Sequence, residues 1–185
     1  MVFGVPTTER RAASTEAAAQ KRGVDGGDGG VKPAKSFSVS PFVMAVVNND
    51  VASIKAAATI LSPQELTEML FFASALKTTT GNTILLLVDA GADIHFRDSS
   101  GRTPLHDAAS FGNADTAVAL VKAGADIDAV SRDGNTAMLE AAKFKHYDVV
   151  AVLADLHANT GVRNRWGRTA VPEVELALLL RKKVE

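Results

Sequence analysis

Four histidines are the side chains of this sequence that would most readily act in catalysis or hold a metal ion. Each falls in a different predicted element: His95 in a loop, His106 in a first helix, His146 at the start of a second helix and His157 at the end of that helix. We therefore do not expect them to converge on one point. The chain has no cysteine, and its histidines and carboxylates lack the spacing of a metal site, so we expect no metal and no cofactor.

The recurring carboxylates have an explanation in turn chemistry. Aspartates satisfy backbone donors in tight turns, and the ones concerned, which recur in predicted loops, are Asp93, Asp98, Asp126 and Asp133. The sequence also lacks a G-x-S-x-G nucleophile motif, a Walker loop with its lysine and an H-E-x-x-H metalloprotease motif. We therefore predict that the protein is not an enzyme.

A repeat of 33 residues organises the central and C-terminal parts of the chain. Gly101, Gly134 and Gly167 are 33 residues apart in turn. Gly91-Ala-Asp-Ile94 recurs as Gly124-Ala-Asp-Ile127 at the same step. Two different motifs that repeat in phase at one period predict a stack of similar structural units.

The stretch Gly101-Arg-Thr-Pro-Leu-His-Asp-Ala-Ala-Ser-Phe-Gly112 carries a helix signal of its own. Thr103 can cap a helix, and Pro104 suits its first position, where a backbone N–H is not needed. Gly112 can end that helix because glycine adopts the left-handed conformation without steric cost. With the Gly-Ala-Asp motif that follows, this stretch resembles one unit of an ankyrin repeat.

The resemblance implies an all-α repeat fold, an α-solenoid of stacked helix-turn-helix units with projecting hairpins. In this family Thr103 and His106 would form hydrogen bonds with nearby backbone and tie neighbouring units together. Partners would be recognised through the hairpin tips and the exposed side of the first helices, which form a concave face. We therefore expect a non-enzymatic protein–protein interaction module that acts as an adaptor, scaffold or inhibitor.

The chain divides on composition into a tail and a repeat domain. Residues 1–35 are glycine-rich and poor in large apolar side chains, so they are expected to be a disordered tail or linker. Residues 36–185 form the predicted repeat domain, whose terminal units are atypical. Its predicted parts are four repeats at about 36–66, 67–99, 100–132 and 133–165, and a partial C-terminal cap at 166–185.

Two junctions depart from the regular pattern. Ser62-Pro-Gln-Glu65 is a capping box that predicts a helix to about Lys77, and a hairpin does not separate it from a helix predicted over residues 51–61. At the other end, Glu173 and Glu175 precede Arg181 in a predicted cap helix, an order of charges that suits the helix dipole. We expect the first two units to join by a direct turn between helices.

Composition limits the remaining function classes. Apolar stretches are shorter than the roughly 18 to 20 residues of a membrane helix, so we expect no membrane association and an intracellular location, cytoplasmic or nuclear. Residues 36–185 carry 14 basic and 17 acidic side chains, a net charge of −3. The charge therefore argues against a nucleic-acid partner, because phosphate binding usually needs a basic excess. We expect a monomer.

A basic and aromatic patch in the C-terminal half is the predicted partner surface. Arg102 and Arg168 are equivalent in the 33-residue register, as are Arg132 and Arg165, and as are Phe111 and Phe144. Arginine and tryptophan are common in interface hot spots, and the full set of predicted contact residues is Arg102, Phe111, Arg132, Lys143, Phe144, Arg165, Trp166 and Arg168. The predicted partner is a protein segment that offers carboxylates beside an apolar anchor. A binder of acidic ligands or nucleic acid through this patch is the alternative.

Overall fold

The computed structural model describes residues 41–182, which lie in the second of two units of the chain, Ser38–Glu185. The predicted tail 1–35, and the domain boundary after it, lie outside the described residues and stay predictions. Between residues 41 and 182 the chain forms helices joined by turns and loops. The helices are α1 (Pro41–Val47), α2 (Val51–Ala58), α3 (Pro63–Ala75), α4 (Gly81–Asp89), α5 (Pro104–Phe111), α6 (Ala114–Lys122), α7 (Ala137–Lys143), α8 (Tyr147–Asp155) and α9 (Val171–Lys182).

The first eight helices form four antiparallel pairs that stack on one another. Each first helix packs on the second helix of its own pair, and the two rows of helices pack along the stack. The first row is α1, α3, α5 and α7; the second is α2, α4, α6 and α8. The α-solenoid predicted from the repeat is confirmed.

The terminal helix α9 breaks this regularity. It packs mainly against α8, a second helix, and leaves much of α7 without a neighbouring helix on that side. The physical reason lies in its own sequence: Val174 and Ala177 are the residues of α9 that face the core. The predicted C-terminal cap is therefore a single helix seated on the second row.

Capping boxes start two of the first helices where the sequence predicts them. At α3, the Glu65 carboxylate accepts from the Ser62 backbone N–H at 2.9 Å, and Ser62 Oγ accepts from the Glu65 backbone N–H at 3.3 Å. At α5, Thr103 and His106 form the equivalent pair. These bonds satisfy backbone donors that the first turn of a helix leaves free. Helix α2 ends at Ala58 and α3 at Ala75, two to three residues before the predicted ends.

The loops between pairs repeat the 33-residue register in their hydrogen bonds. The Asp98 N–H donates to the Arg102 carbonyl at 2.9 Å, and the Asn164 N–H donates to the Arg168 carbonyl at 3.1 Å. The intermediate loop makes the same bond between Ser131 and Asn135. Each loop places a glycine with φ near 75° at its turn, at positions 101, 134 and 167. Successive loops therefore have one geometry and project from the stack in the same way.

The core runs along the stack between the two rows of helices. Ala108 and Ala109 are fully buried in α5, where small side chains allow neighbouring helices to approach closely. The large buried side chains come from every pair, among them Ile54, Leu70, Leu87, Leu105, Leu120, Met138 and Leu153. In residues 41–182, none of the helices is both long enough and apolar enough to cross a membrane.

Candidate protein-binding surface

His106 is buried between two units and serves as a link between them. Its Nδ1 accepts a hydrogen bond from the Thr103 N–H at 3.1 Å, and its Nε2–H donates to the Asn135 carbonyl at 2.9 Å. Burial lowers the pKa of His106 from its ordinary value of 6.5, and nearby Arg102 acts in the same direction. The imidazole is therefore neutral, with its proton on Nε2. Both ring nitrogens are engaged in hydrogen bonds within the protein.

The other histidines lie apart from His106, as the repeat register predicts. His95 lies in an exposed loop, His146 precedes α8 and His157 follows α8. Within residues 41–182, histidines and carboxylates do not gather in any group that could hold a metal ion.

Arg102 is the one predicted contact residue whose guanidinium is largely held inside the protein. Its Nη2 lies 2.9 Å from Asp107 Oδ1 and 2.6 Å from Ser110 Oγ. Its Nη1 lies 3.9 Å from Glu140 Oε2. The side chain of Arg102 is 22% exposed, while those of Asp107 and Glu140 are nearly buried. Arg102 is thus half-buried and neutralises two carboxylates of neighbouring first helices.

The two equivalent phenylalanines occupy different environments. Phe111 is half-buried at the end of α5. Phe144 is 48% exposed just after α7, with the Lys143 ammonium 5.2 Å from its ring centroid. Its ring also stacks with His146 at a centroid distance of 6.4 Å. Phe144 and Lys143 therefore place an aromatic ring and a cation next to each other on the surface.

Four more predicted residues lie on the loops beside α7 and α9, and all four are exposed: Arg132, Arg165, Trp166 and Arg168. Arg165 lies 3.6 Å from the Asp133 carboxylate, an exposed pair that contributes little stability. Trp166 is 65% exposed. The Arg168 guanidinium has no hydrogen-bond or ion-pair partner in the part of the chain that the structure describes. Tryptophan and arginine are among the residue types most enriched in binding hot spots.

A groove of about 490 Å³ brings three of the predicted residues together. Lys143 on α7 lies on one side, and Trp166 and Arg168 of the last loop lie on the other. The groove exists because α9 covers α8 and leaves α7 open. The other residues that line it are Asn135, Leu139, Ala142, Asn164, Thr169, Pro172 and Glu173.

The walls of the groove combine apolar surface with charges of both signs. Leu139, Ala142 and Pro172 add apolar area beside the Trp166 ring. Lys143 Nζ lies 3.8 Å from Glu140 Oε2, too far for a strong hydrogen bond. Glu140 Oε2 and Glu173 Oε2 are buried, and neither has a hydrogen-bond partner among the described residues. The groove is therefore amphipathic, with cations at its rim.

The sequence argument placed Trp166, Arg168 and Lys143 correctly on the surface but missed the apolar wall. Leu139 and Pro172 were not among the predicted contact residues, and Glu173 was assigned only to the predicted cap helix. The sequence feature that could have predicted the apolar wall is the shortened last unit. A unit with one helix cannot cover both helices of the unit before it.

A comparison with protein families matches residues 70–164 to the family described as ankyrin repeats (3 copies). The match spans just over half of the chain and runs from within α3 to the loop before α9. The chain belongs to the ankyrin-repeat family. A search of curated proteins found no match.

Ankyrin repeats are generally protein–protein interaction modules and typically have no catalytic activity. The first helix pair and α9 lie outside the matched residues, as terminal repeats often differ from the consensus. The groove lies at the end of the matched region, where the regular ankyrin repeats give way to α9.

Proposed function

We propose that this ankyrin-repeat protein binds a partner protein through the groove between α7 and α9, as an adaptor, scaffold or inhibitor without catalysis. The observation that carries the proposal is the exposed Trp166 beside the guanidinium of Arg168, which has no partner among the described residues. An exposed aromatic ring and an arginine at the mouth of an apolar groove have the composition of a binding hot spot.

The partner segment is proposed to present an apolar anchor flanked by carboxylates. The anchor would pack on Trp166, Leu139 and Pro172, which line the groove. Its carboxylates would pair with Arg168 and Lys143 at the rim, where arginine can bind a carboxylate with two hydrogen bonds. Burial of the apolar anchor supplies affinity, and the rim cations supply orientation.

The remaining predicted contact residues have secondary roles in this proposal. Arg132, Arg165 and Phe144 are exposed and would extend the contact area. Arg102 and Phe111 are half-buried and would hold the first helices in position. Arg102 does so through its ion pair with Asp107.

The test is a comparison of two double variants against any partner recovered with the full chain as bait. Trp166→Ala with Arg168→Ala should weaken binding at least about tenfold, the loss typical of a hot-spot pair. Ile60→Ala with Lys55→Ala removes one exposed apolar and one cationic side chain near the other end of the stack and should leave affinity unchanged. Circular dichroism must show that both variants retain the fold. Unchanged affinity in the first variant would move the site elsewhere, first to the irregular junction at Ser62.

A salt titration separates this proposal from its alternative, an acidic ligand or nucleic acid bound by the same cations. Binding to phosphates weakens steeply and log-linearly as salt increases, because counterions are released. A contact dominated by the apolar groove should show a shallow dependence. A steep slope with nucleic acid as ligand would favour the alternative.

A further inference from the structure

Two asparagine side chains connect α7 to the loop that carries Trp166 and Arg168. Asn135 Nδ2 donates to Glu140 Oε1 at 2.8 Å, and Asn164 Nδ2 donates to Asn135 Oδ1 at 2.8 Å. Asn164 Oδ1 then accepts from the backbone N–H groups of Trp166 and Arg168, both at 3.0 Å. The side chains of Glu140, Asn135 and Asn164 are called the amide bridge below.

The direction of the amide bridge is fixed at its buried end. A carboxylate accepts hydrogen bonds and does not donate them, so Glu140 takes the Nδ2 group of Asn135 and leaves the Asn135 Oδ1 for Asn164. Glu140 and Asn135 are each only 4% exposed, and a buried polar group that loses its partner costs free energy. Asn164 is therefore held with its Nδ2 towards Asn135 and its Oδ1 towards the loop.

The repeat register shows that the amide bridge is an addition to the regular loop. Arg102 occupies the position equivalent to Asn135, and its guanidinium binds Asp107 of its own helix. Asp98 occupies the position equivalent to Asn164 and accepts from the Arg102 N–H at 2.8 Å, but it has no amide group with which to donate. The turn thus forms without the bridge, and the two asparagines add a bond between loops.

A backbone bond already joins these neighbouring loops, as it does in the previous pair. The Arg165 N–H donates to the Asp133 carbonyl at 3.0 Å, and the Arg132 N–H donates to the Ser100 carbonyl at 2.9 Å. This bond holds one loop against the next. The amide bridge differs because it ends on Glu140, a residue of α7, and so joins the last loop to a helix.

The carboxylate of Glu140 is close to both sides of the groove. Its Oε2 lies 3.8 Å from the Nζ of Lys143, one turn later in α7. Its Oε1 accepts from Asn135, at the start of the bridge to Trp166 and Arg168. The cation on one side of the groove and the loop on the other therefore share one buried anchor. Binding side chains are held precisely when such supporting hydrogen bonds lie behind them.

We propose that Asn135 and Asn164 are positioning residues of the groove, which act through Trp166 and Arg168 by holding their loop in a fixed place relative to Lys143. The effect on binding rests on the function proposed above, whereas the order of the loop can be measured without a partner. A loop that is ordered before binding loses less entropy when the partner arrives, so the amide bridge should raise affinity.

Trp166 is the only tryptophan of the chain, so its time-resolved fluorescence anisotropy reports nanosecond motion of this loop in the full protein. Asn164→Asp keeps an acceptor for the turn but sets a carboxylate oxygen against Asn135 Oδ1. The amplitude of Trp166 motion should increase, and affinity for any recovered partner should decrease at least about threefold. The matched control is Asn159→Asp, since Asn159 is an exposed loop residue whose Oδ1 accepts from the Gly161 N–H. The control should change neither quantity.

The direction of the amide bridge allows a rescue that direct contact of Asn164 with a partner would not show. Glu140→Gln supplies an amide that can donate to Asn135 Oδ1, which turns the Asn135 Nδ2 towards residue 164. Glu140→Gln combined with Asn164→Asp should therefore reverse the hydrogen bonds of the bridge and return Trp166 motion to the wild-type amplitude. Glu140→Gln alone should leave the loop ordered, because a glutamine oxygen can still accept from Asn135.

Wild-type Trp166 motion in Asn164→Asp, or a double variant as mobile as Asn164→Asp alone, overturns the proposal. If Asn164→Asp does not fold, Asn164→Ser takes its place, since Ser131 occupies the equivalent position of the previous loop and serine has no amide. This variant should also increase Trp166 motion, and an unchanged amplitude again overturns the proposal.

The positioning role and the proposed function can fail separately. Affinity that falls with Trp166→Ala, together with wild-type Trp166 motion in Asn164→Asp, supports the groove and rejects the positioning role. Loop motion that increases in Asn164→Asp and is rescued by Glu140→Gln supports the amide bridge. If affinity is then unchanged by both Trp166→Ala and Asn164→Asp, the groove is rejected as the binding site.

Discussion

At the scale of single residues, His106 shows how a buried polar side chain can link two neighbouring units. It accepts from the Thr103 N–H and donates to the Asn135 carbonyl in the next loop. The two bonds satisfy backbone groups that would otherwise cost free energy when buried. Desolvation, the main cause of its lowered pKa, keeps the ring neutral as this arrangement requires.

Stability should therefore decrease as pH falls below about 6.5, the ordinary pKa of histidine. In that range the unfolded chain binds a proton at His106 while the folded chain does not, so the free energy of unfolding decreases by at most about 1.4 kcal/mol per pH unit for this site. At pH values above 6.5 its contribution is fully present. Urea denaturation at pH 7.5, 6.5 and 5.5 measures the effect.

The control for this pH effect is His106→Gln, which retains the other three histidines. This variant should be less stable at neutral pH and should show a shallower decrease between pH 6.5 and 5.5. Equal slopes in the two proteins would assign the pH dependence to other groups.

At the scale of elements, the turn between α5 and α6 depends on contact with the next unit. Gly112 ends α5 with φ of 72° and ψ of 37°, in the left-handed region. A Cβ at this position would lie 2.6 Å from His146 Nδ1. His146 in turn donates from Nε2 to the Ser110 carbonyl at 3.1 Å. One glycine therefore allows both the end of a helix and a link between neighbouring units.

Gly112→Ala is accordingly expected to destabilise the protein more than Gly167→Ala. Gly167 has nearly the same φ, 73°, but a Cβ there would meet nothing within 4 Å. Left-handed strain alone costs about 1–2 kcal/mol, and displacement of His146 should add about 1 kcal/mol at position 112. Urea denaturation of both variants measures the difference. Equal losses would mean that His146 moves aside without cost.

At the scale of the whole molecule, side chains from one unit bond to the backbone of a neighbouring unit along the stack. Asn49 accepts from the Thr80 N–H at 2.9 Å, and Asn113 donates to the Ser74 carbonyl at 2.6 Å. His106 and Asn135 continue the series. Because each unit contacts only its neighbours, stability in such a stack is a sum of local and nearest-neighbour contributions.

Limited proteolysis tests the predicted division of the chain, which rests on composition and lies outside the described residues. Cleavage is expected within Gly23 to Lys35, since exposed glycine-rich segments are preferred protease sites. A resistant fragment should begin near Ser36, as mass spectrometry would identify. This fragment and the full chain should melt at the same temperature. A clear difference would mean that residues 1–35 stabilise the repeats.

The sequence by itself determined the repeat, its period and most helix starts. These features depend on local chemistry: Ser62 Oγ accepts from the Glu65 N–H, and His106 Nδ1 accepts from the Thr103 N–H. Glycines at positions 101, 134 and 167 allow the turns. A local signal repeated in phase predicts the stack because each unit must bury its apolar side against a similar unit.

Only the tertiary structure decided which of the predicted contact residues are buried and which are exposed. Arg102 and Arg168 are equivalent in sequence, yet Arg102 faces Asp107 and Glu140 across two first helices while Arg168 lines an open groove. The difference arises because a further first helix does not follow α7 among the described residues, and α9 sits on α8. The register of a repeat specifies equivalent positions, but the neighbour that each position meets depends on how the last helix packs.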